Sequence, residues 1–205
     1  MNKILWLSLF FGALLWSGFE PKDQFTWFLE VIPAIVVLAI MAISQSRLPL
    51  TPLLYQLILV HSIILMIGGH YTYAEVPAFD TLAELFNWHR NHYDKLGHLA
   101  QGFVPAIAAR ELLIRHHVIE KPRWLAVIIV LICLGISALY ELIEWWVAEL
   151  TGESAEAFLG TQGYVWDTQS DMAMAMIGAI LALLLLSRTH QAQLLALDIS
   201  ARQTH

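Results

Sequence analysis

Six stretches of roughly 17 to 25 mostly apolar residues, each bounded by charge, proline or glycine, restrict this chain more than any other feature. They are residues 2–19, 25–45, 51–69, 95–114, 124–148 and 171–187, the fourth being the least apolar. A helix crossing the hydrocarbon core of a bilayer needs about 20 such residues, so each run predicts a transmembrane helix. A closed β-barrel would instead alternate apolar and polar positions, whereas residues 35–43 and 179–186 are apolar on consecutive positions. With 58% hydrophobic residues, 14% charged residues and a mean hydropathy of +0.62, the chain carries more apolar surface than a water-soluble domain of 205 residues can bury. The expected fold is all-α: a polytopic membrane helix bundle of about six transmembrane helices, forming one domain over residues 1–205.

Lys3 precedes the first apolar run as in a signal peptide, but Trp16-Ser17-Gly18 lacks small residues at both expected cleavage positions, and a retained helix is expected. The single cysteine, Cys133, lies inside the fifth run, so neither an intramolecular disulfide nor a multi-cysteine metal site can form. A net charge of −6 with no basic patch gives no support to nucleic-acid binding.

Alternate connections differ in charge. One side collects Lys3, Arg47, Arg115, Lys121, Arg123, Arg188 and Arg202, and the other Lys22, Arg90 and Lys95 together with Glu75, Asp80, Glu84, Asp94, Glu149, Glu153, Glu156, Asp167 and Asp171. Short basic loops stay cytoplasmic, so both termini are expected in the cytoplasm and the acidic loops outside. Both long connections, residues 70–94 and 149–170, fall on that outer face. In the first, Thr81 and Glu84 have capping-box spacing, and Phe79, Leu82, Ala83 and Phe86 recur at helical intervals opposite Asp80, Glu84 and Asn87. A short amphipathic helix on the outer leaflet follows.

Ionisable groups inside spanning segments are costly and therefore point to function. Four helices are expected to deliver them to one level near the outer face. Asp94, Lys95 and His98 open the fourth; Glu141 and Glu144 end the fifth before Trp145 and Trp146; Asp167 and Asp171 open the sixth; His70, Tyr71 and Tyr73 end the third. Glu141 and His98 lie a turn or more inside their segments, where only pairing or ligation offsets their desolvation. Imidazole with carboxylates suits Zn²⁺, Mn²⁺ or Fe²⁺, and carboxylates alone suit Mg²⁺ or Ca²⁺. The candidate ligands of one divalent metal (Zn, Mn or Mg) are His70, His98, Glu141, Glu144, Asp167 and Asp171, and the candidate catalytic groups are Asp94, His98, Glu141, Glu144 and Asp171. Interfacial placement and helix capping are the competing explanation for any one of these residues. Exposed loop histidines such as His89 and His92 read as solvated, Arg110 and Glu111 as ordinary anchoring beside Arg115, His116 and His117, and Gly97, Gly102, Gly135 and Gly178 as sites of close helix approach.

The string from His92 through Asp94, Lys95 and Gly97 to His98, followed by Gly102-Phe103 and Arg110-Glu111, resembles the YjdF-like family of bacterial inner-membrane proteins. Residues 141–145 and 166–172 extend the resemblance, while the first two helices match in hydropathy only. The Asp-Lys-x-x-His core is also similar to a short segment of VanZ-like membrane proteins, a family associated with glycopeptide tolerance. The YjdF resemblance implies a multi-pass inner-membrane location, with the acidic face in the periplasm, and names no substrate. The residues point to a metal-assisted hydrolase or transferase acting on a lipid or envelope component from among membrane lipids. A small proton-coupled transporter is the alternative, disfavoured by the apolar residues 128–134 and 179–186, and a structural partner protein without catalysis is a third reading.

Overall fold

The computed structural model describes residues 2–119, 121–151 and 156–203, and of the acids assigned to the outer face Glu153 lies outside them, as do the side chains of Glu156 and Arg202. Eight helices are present among the described residues: α1 (Lys3–Gly18), α2 (Gln24–Ser44), α3 (Pro52–Tyr71), α4 (Pro77–Phe86), α5 (Tyr93–Arg115), α6 (Pro122–Thr151), α7 (Glu156–Leu159) and α8 (Asp167–Gln203). The six expected spans correspond to α1, α2, α3, α5, α6 and α8. Asn2, Asp23 and Thr51 accept backbone N–H bonds from the first turns of α1, α2 and α3, so polar caps set where these apolar runs begin.

Four of these helices, α2, α3, α6 and α8, are long and apolar enough to cross a membrane by themselves. Their outer faces carry exposed Ile43, Val60, Leu131, Leu184 and Leu185, which water would not tolerate in such number. α5 is different. It packs against α3, α6 and α8, and a helix sheltered by protein can carry the polar residues that made it the least apolar run.

The α5–α8 pair is the most intimate contact in the bundle. A Cβ on Gly102 would lie 1.7 Å from the Ala175 carbonyl oxygen, and one on Gly178 would lie 2.1 Å from that of Leu99. The two backbones therefore touch where small residues allow it, as membrane helices do in the absence of a hydrophobic drive between them. Gly135 has no such role, with nothing within 4 Å of its would-be Cβ.

α4 begins five residues earlier than capping-box spacing suggests. Pro77 occupies its first turn, where a missing N–H costs nothing, and Thr81 instead turns its hydroxyl back onto the Pro77 carbonyl. None of its residues is buried, and Leu85, Phe86 and the following Trp88 are exposed, as a helix lying on a membrane surface requires. Asn91 tethers it by donating to Asp80 and to the Val76 carbonyl. Beyond Ser187, α8 continues unbroken to Gln203, because no glycine or proline interrupts the polar tail.

Prolines interrupt two spans. Pro33 in α2 and Pro105 in α5 cannot donate to the carbonyls of Leu29 and Gln101, which loosens both helices at middle depth. Both prolines line one cavity of about 350 Å³ enclosed by α2, α3, α5 and α6.

Candidate functional site

α5 enters the bundle at Tyr93, so Asp94 and His98 lie one turn apart on the same side, and both are buried. α8 begins beside them and supplies Asp167 and Asp171. His98 Nε2 stands 3.4 Å from Asp94 Oδ1, 3.9 Å from Asp171 Oδ1 and 3.8 Å from Glu141 Oε1. One ligand atom from each of Asp94, His98 and Asp171 lies within 4.8 Å of the other two.

The other imidazole nitrogen orients the ring. His98 Nδ1 lies 3.1 Å from Gln101 Oε1; a ring that donates Nδ1–H there turns Nε2 toward the carboxylates of Asp94 and Asp171, either as the second N–H of an imidazolium or as a lone pair. A proton on Nε2 pairs the imidazolium with the two carboxylates, and a metal ion taking the Nε2 lone pair would balance them in its place. Part of the required positive charge is already present. Lys95 Nζ donates to Asp167 at 2.6 Å and to Asp171 at 2.5 Å, and Arg90 Nη1 donates to Asp167 at 2.6 Å. Asp167 is thereby neutralised by two cations and stands outside the three-residue group. The Tyr164 ring lies under both cations, 5.5 Å from Arg90 and 6.0 Å from Lys95.

Glu141 and Glu144 arrive on α6, both buried. Among the described residues Glu141 Oε1 has no hydrogen-bond partner, a costly condition for a carboxylate. Glu144 lines the cavity with Asp94 and His98. His70 joins none of them. Its Nδ1 pairs with the Ser17 carbonyl at 3.0 Å and its ring packs 4.7 Å from that of Trp16, because it occupies the side of α3 that faces α1. Outside the spans, His92 packs against Trp88, and burial together with the Arg90 and Lys95 charges pushes its imidazole below the usual range.

Two site residues, Glu30 and His61, escape a reading based on helix ends, and a third, Tyr73, is foreseen by it in level alone. Glu30 is buried in α2, with Oε2 accepting from the Tyr140 hydroxyl at 3.0 Å. His61 lies near the middle of α3 with its Nε2 buried and unpartnered. Tyr73 folds back over α3 through consecutive left-handed residues, Thr72 (φ 61) and Tyr73 (φ 54), into space left by Gly68 and Gly97. Its hydroxyl is buried without a partner. All three line the cavity. For Glu30 and His61 the signal was an ionisable residue inside an otherwise apolar run; Tyr73 was expected at this level with His70 and Tyr71, but nothing in the sequence signalled its fold back over α3.

The opposite end holds a second cluster. Glu111 and His190 are both 0% exposed. Glu111 accepts from the Thr51 backbone N–H at 3.0 Å, the Thr51 hydroxyl at 2.8 Å, Arg115 at 3.1 Å and His190 Nε2 at 3.0 Å. Arg110 donates to His190 Nδ1 at 2.9 Å and to Gln191 at 2.9 Å. Arg110 and Glu111 are thus more than surface anchors: they clip α3, α5 and α8 together.

A polytopic helix bundle whose closest helix pair carries a buried imidazole–carboxylate group at one end and a closed clamp at the other is a multi-pass integral membrane protein. Comparison with known proteins agrees and narrows the class. The chain belongs to the family described as "Predicted membrane protein (DUF2238)", which matches residues 2–192 and so includes the first two helices. It is 49% identical over 181 residues to the "Inner membrane protein YjdF" of Escherichia coli (strain K12), covering 88% of this chain and 87% of that one. No solved structure matches significantly.

Proposed function

We propose that this chain is a bacterial inner-membrane protein with both termini in the cytoplasm, and that Asp94, His98 and Asp171 hold a divalent metal at the periplasmic leaflet for hydrolysis or group transfer on a lipid or envelope component. The orientation rests on the skewed Lys and Arg distribution and the membrane on the relative's name. The observation that carries the metal is the approach of one ligand atom each from the buried Asp94, His98 and Asp171 to within 4.8 Å of one another, beside a cavity that Asp94 and His98 line.

Held by Asp94, His98 and Asp171, a divalent ion would supply Lewis-acid polarisation of the substrate and a bound water of lowered pKa. Glu141, whose Oε1 lacks a partner, takes a proton as the water O–H breaks and a new oxygen bond forms to phosphorus or acyl carbon. The leaving oxygen departs with a proton returned from the same carboxyl group. In a transferase a hydroxyl acceptor takes the place of water. Elemental analysis of protein purified in mild detergent tests the ion: near-stoichiometric metal in wild type, lost in folded His98→Ala and Asp171→Asn, is expected. Equal metal content in all three, or none in any, would refute it.

A proton-coupled carrier is the second reading, favoured by Glu30 and His61 within the spans. It needs a route onward to the Glu111 clamp, and the buried Leu54, Ile107 and Ala182 of the core cluster occupy that level. Proton flux in proteoliposomes would reverse this ranking.

A further inference from the structure

The cavity presents one face of each surrounding helix. α3 contributes Ile58, His61, Ser62 and Leu65 at helical spacing, and α5 lines it from Asp94 to Ala108, about 21 Å at 1.5 Å per residue. Its chemistry is graded along that length. Glu30, Tyr73, Asp94, His98, Tyr140 and Glu144 surround the end at the metal-site level; His61 and Gln101 lie at middle depth; Val37, Ile58, Ala108 and Ile136 close the deep end.

The sides also differ. α2 packs on α3, and α6 packs on α5 and α8, whereas α2 and α6 are joined by the Tyr140–Glu30 hydrogen bond. Ile136, on the cavity wall, is 40% exposed at this seam. This seam, which α7 bridges by packing on both helices, offers a sideways route from a bilayer into the cavity. Among the described residues no lysine or arginine lines the space, so an anionic group has no permanently charged partner inside it. At about 350 Å³ the space lies near the lower end of ligand-pocket volumes, which suits one chain.

We infer that the cavity binds the acyl chain of a single-chain ester- or amide-linked lipid, with its linkage carbonyl at His61, its tail against Val37, Ile58, Ala108 and Ile136, and its head at the Asp94–His98 level. The unpartnered, buried Nε2 of His61 marks the linkage: carrying the hydrogen it donates to a carbonyl, whereas a plain hydrocarbon would leave it orphaned. The inference rests on the proposed lipid-directed function and names the substrate class for that site.

The test uses the full chain in phospholipid nanodiscs and a lysophosphatidylethanolamine carrying a diazirine at the end of its acyl chain. After irradiation, labelled peptides are mapped by mass spectrometry. Adducts on residues 58–65 of α3 and at Ile136 of α6 are expected, falling at least fivefold in Ala108→Phe or Val37→Phe. Adducts near the outward Leu184 and Leu185 should not change. His61→Leu should weaken labelling by the ester probe and spare its alkyl-ether analogue. Labelling confined to outward residues, or untouched by both filling variants, overturns the inference, and equal loss of ester and ether labelling in His61→Leu overturns the assigned linkage. Metal content measured on the same samples keeps the two proposals apart: labelling without metal faults the metal reading alone, and metal without cavity labelling faults this one alone.

Discussion

The two ends of the α5–α8 pair are built from similar residues and do opposite things. At the Glu111 end, a carboxylate, an imidazole and an arginine satisfy one another with none of the carboxylate or imidazole surface left exposed. At the His98 end, a similar set is left incomplete: Glu141 Oε1, Tyr73 Oη and Arg90 Nε have no partners, and a cavity adjoins. Buried polar networks that are complete fix a structure, and incomplete ones are high in energy unless something else completes them. Composition alone does not separate a clamp from a site; the bookkeeping of hydrogen bonds does.

That contrast breaks first on stability. Glu111→Ala strands His190, Arg115 and the Thr51 N–H, and should cost roughly 3 to 5 kcal/mol, the usual loss when one partner of a buried pair is removed. Glu141→Gln, which removes a charge from an unsatisfied oxygen, should cost less than about 1 kcal/mol or stabilise, as substitutions in functional sites often do. Thermal melts in detergent compare the two, and equal losses would erase the distinction. Between the ends, Gly102→Ala forces a methyl group onto the Ala175 carbonyl and should cost about 1 to 3 kcal/mol by overpacking, while Gly135→Ala stays within about 0.5 kcal/mol.

Metal binding sharpens the comparison further. Gln101→Leu removes the acceptor that holds the His98 tautomer and should weaken binding about 10- to 100-fold, the range for partners of a ligating histidine. Lys95→Met removes the cation competing for Asp171 and should raise affinity several-fold in a competition titration. A drop instead would mean that Lys95 is needed to assemble the carboxylates.

The spans were legible because a bilayer imposes length and apolarity on every exposed helix, and α5 was faint because protein shelters it. The convergence of Asp94, His98, Glu141, Glu144 and Asp171 was also legible, since alternating helix direction fixes which ends share a face. Depth was not. Glu30 and His61 sit away from helix ends, and reading only the ends passed over them. His70 shares the right level but points to α1, and Glu111 looked like an anchor because its partner His190 lies 79 residues away in a tail that seemed merely polar. Rotation about a helix axis and pairing across such distances are set by packing, which hydropathy does not encode.

The central claim is that the His98 end is completed by a metal ion. X-ray absorption at the K-edge of whatever metal copurifies tests it most directly. The account predicts a shell of one imidazole nitrogen with carboxylate and water oxygens, the nitrogen vanishing in His98→Ala. A shell without imidazole, or an identical spectrum from the His98→Ala protein, would contradict it.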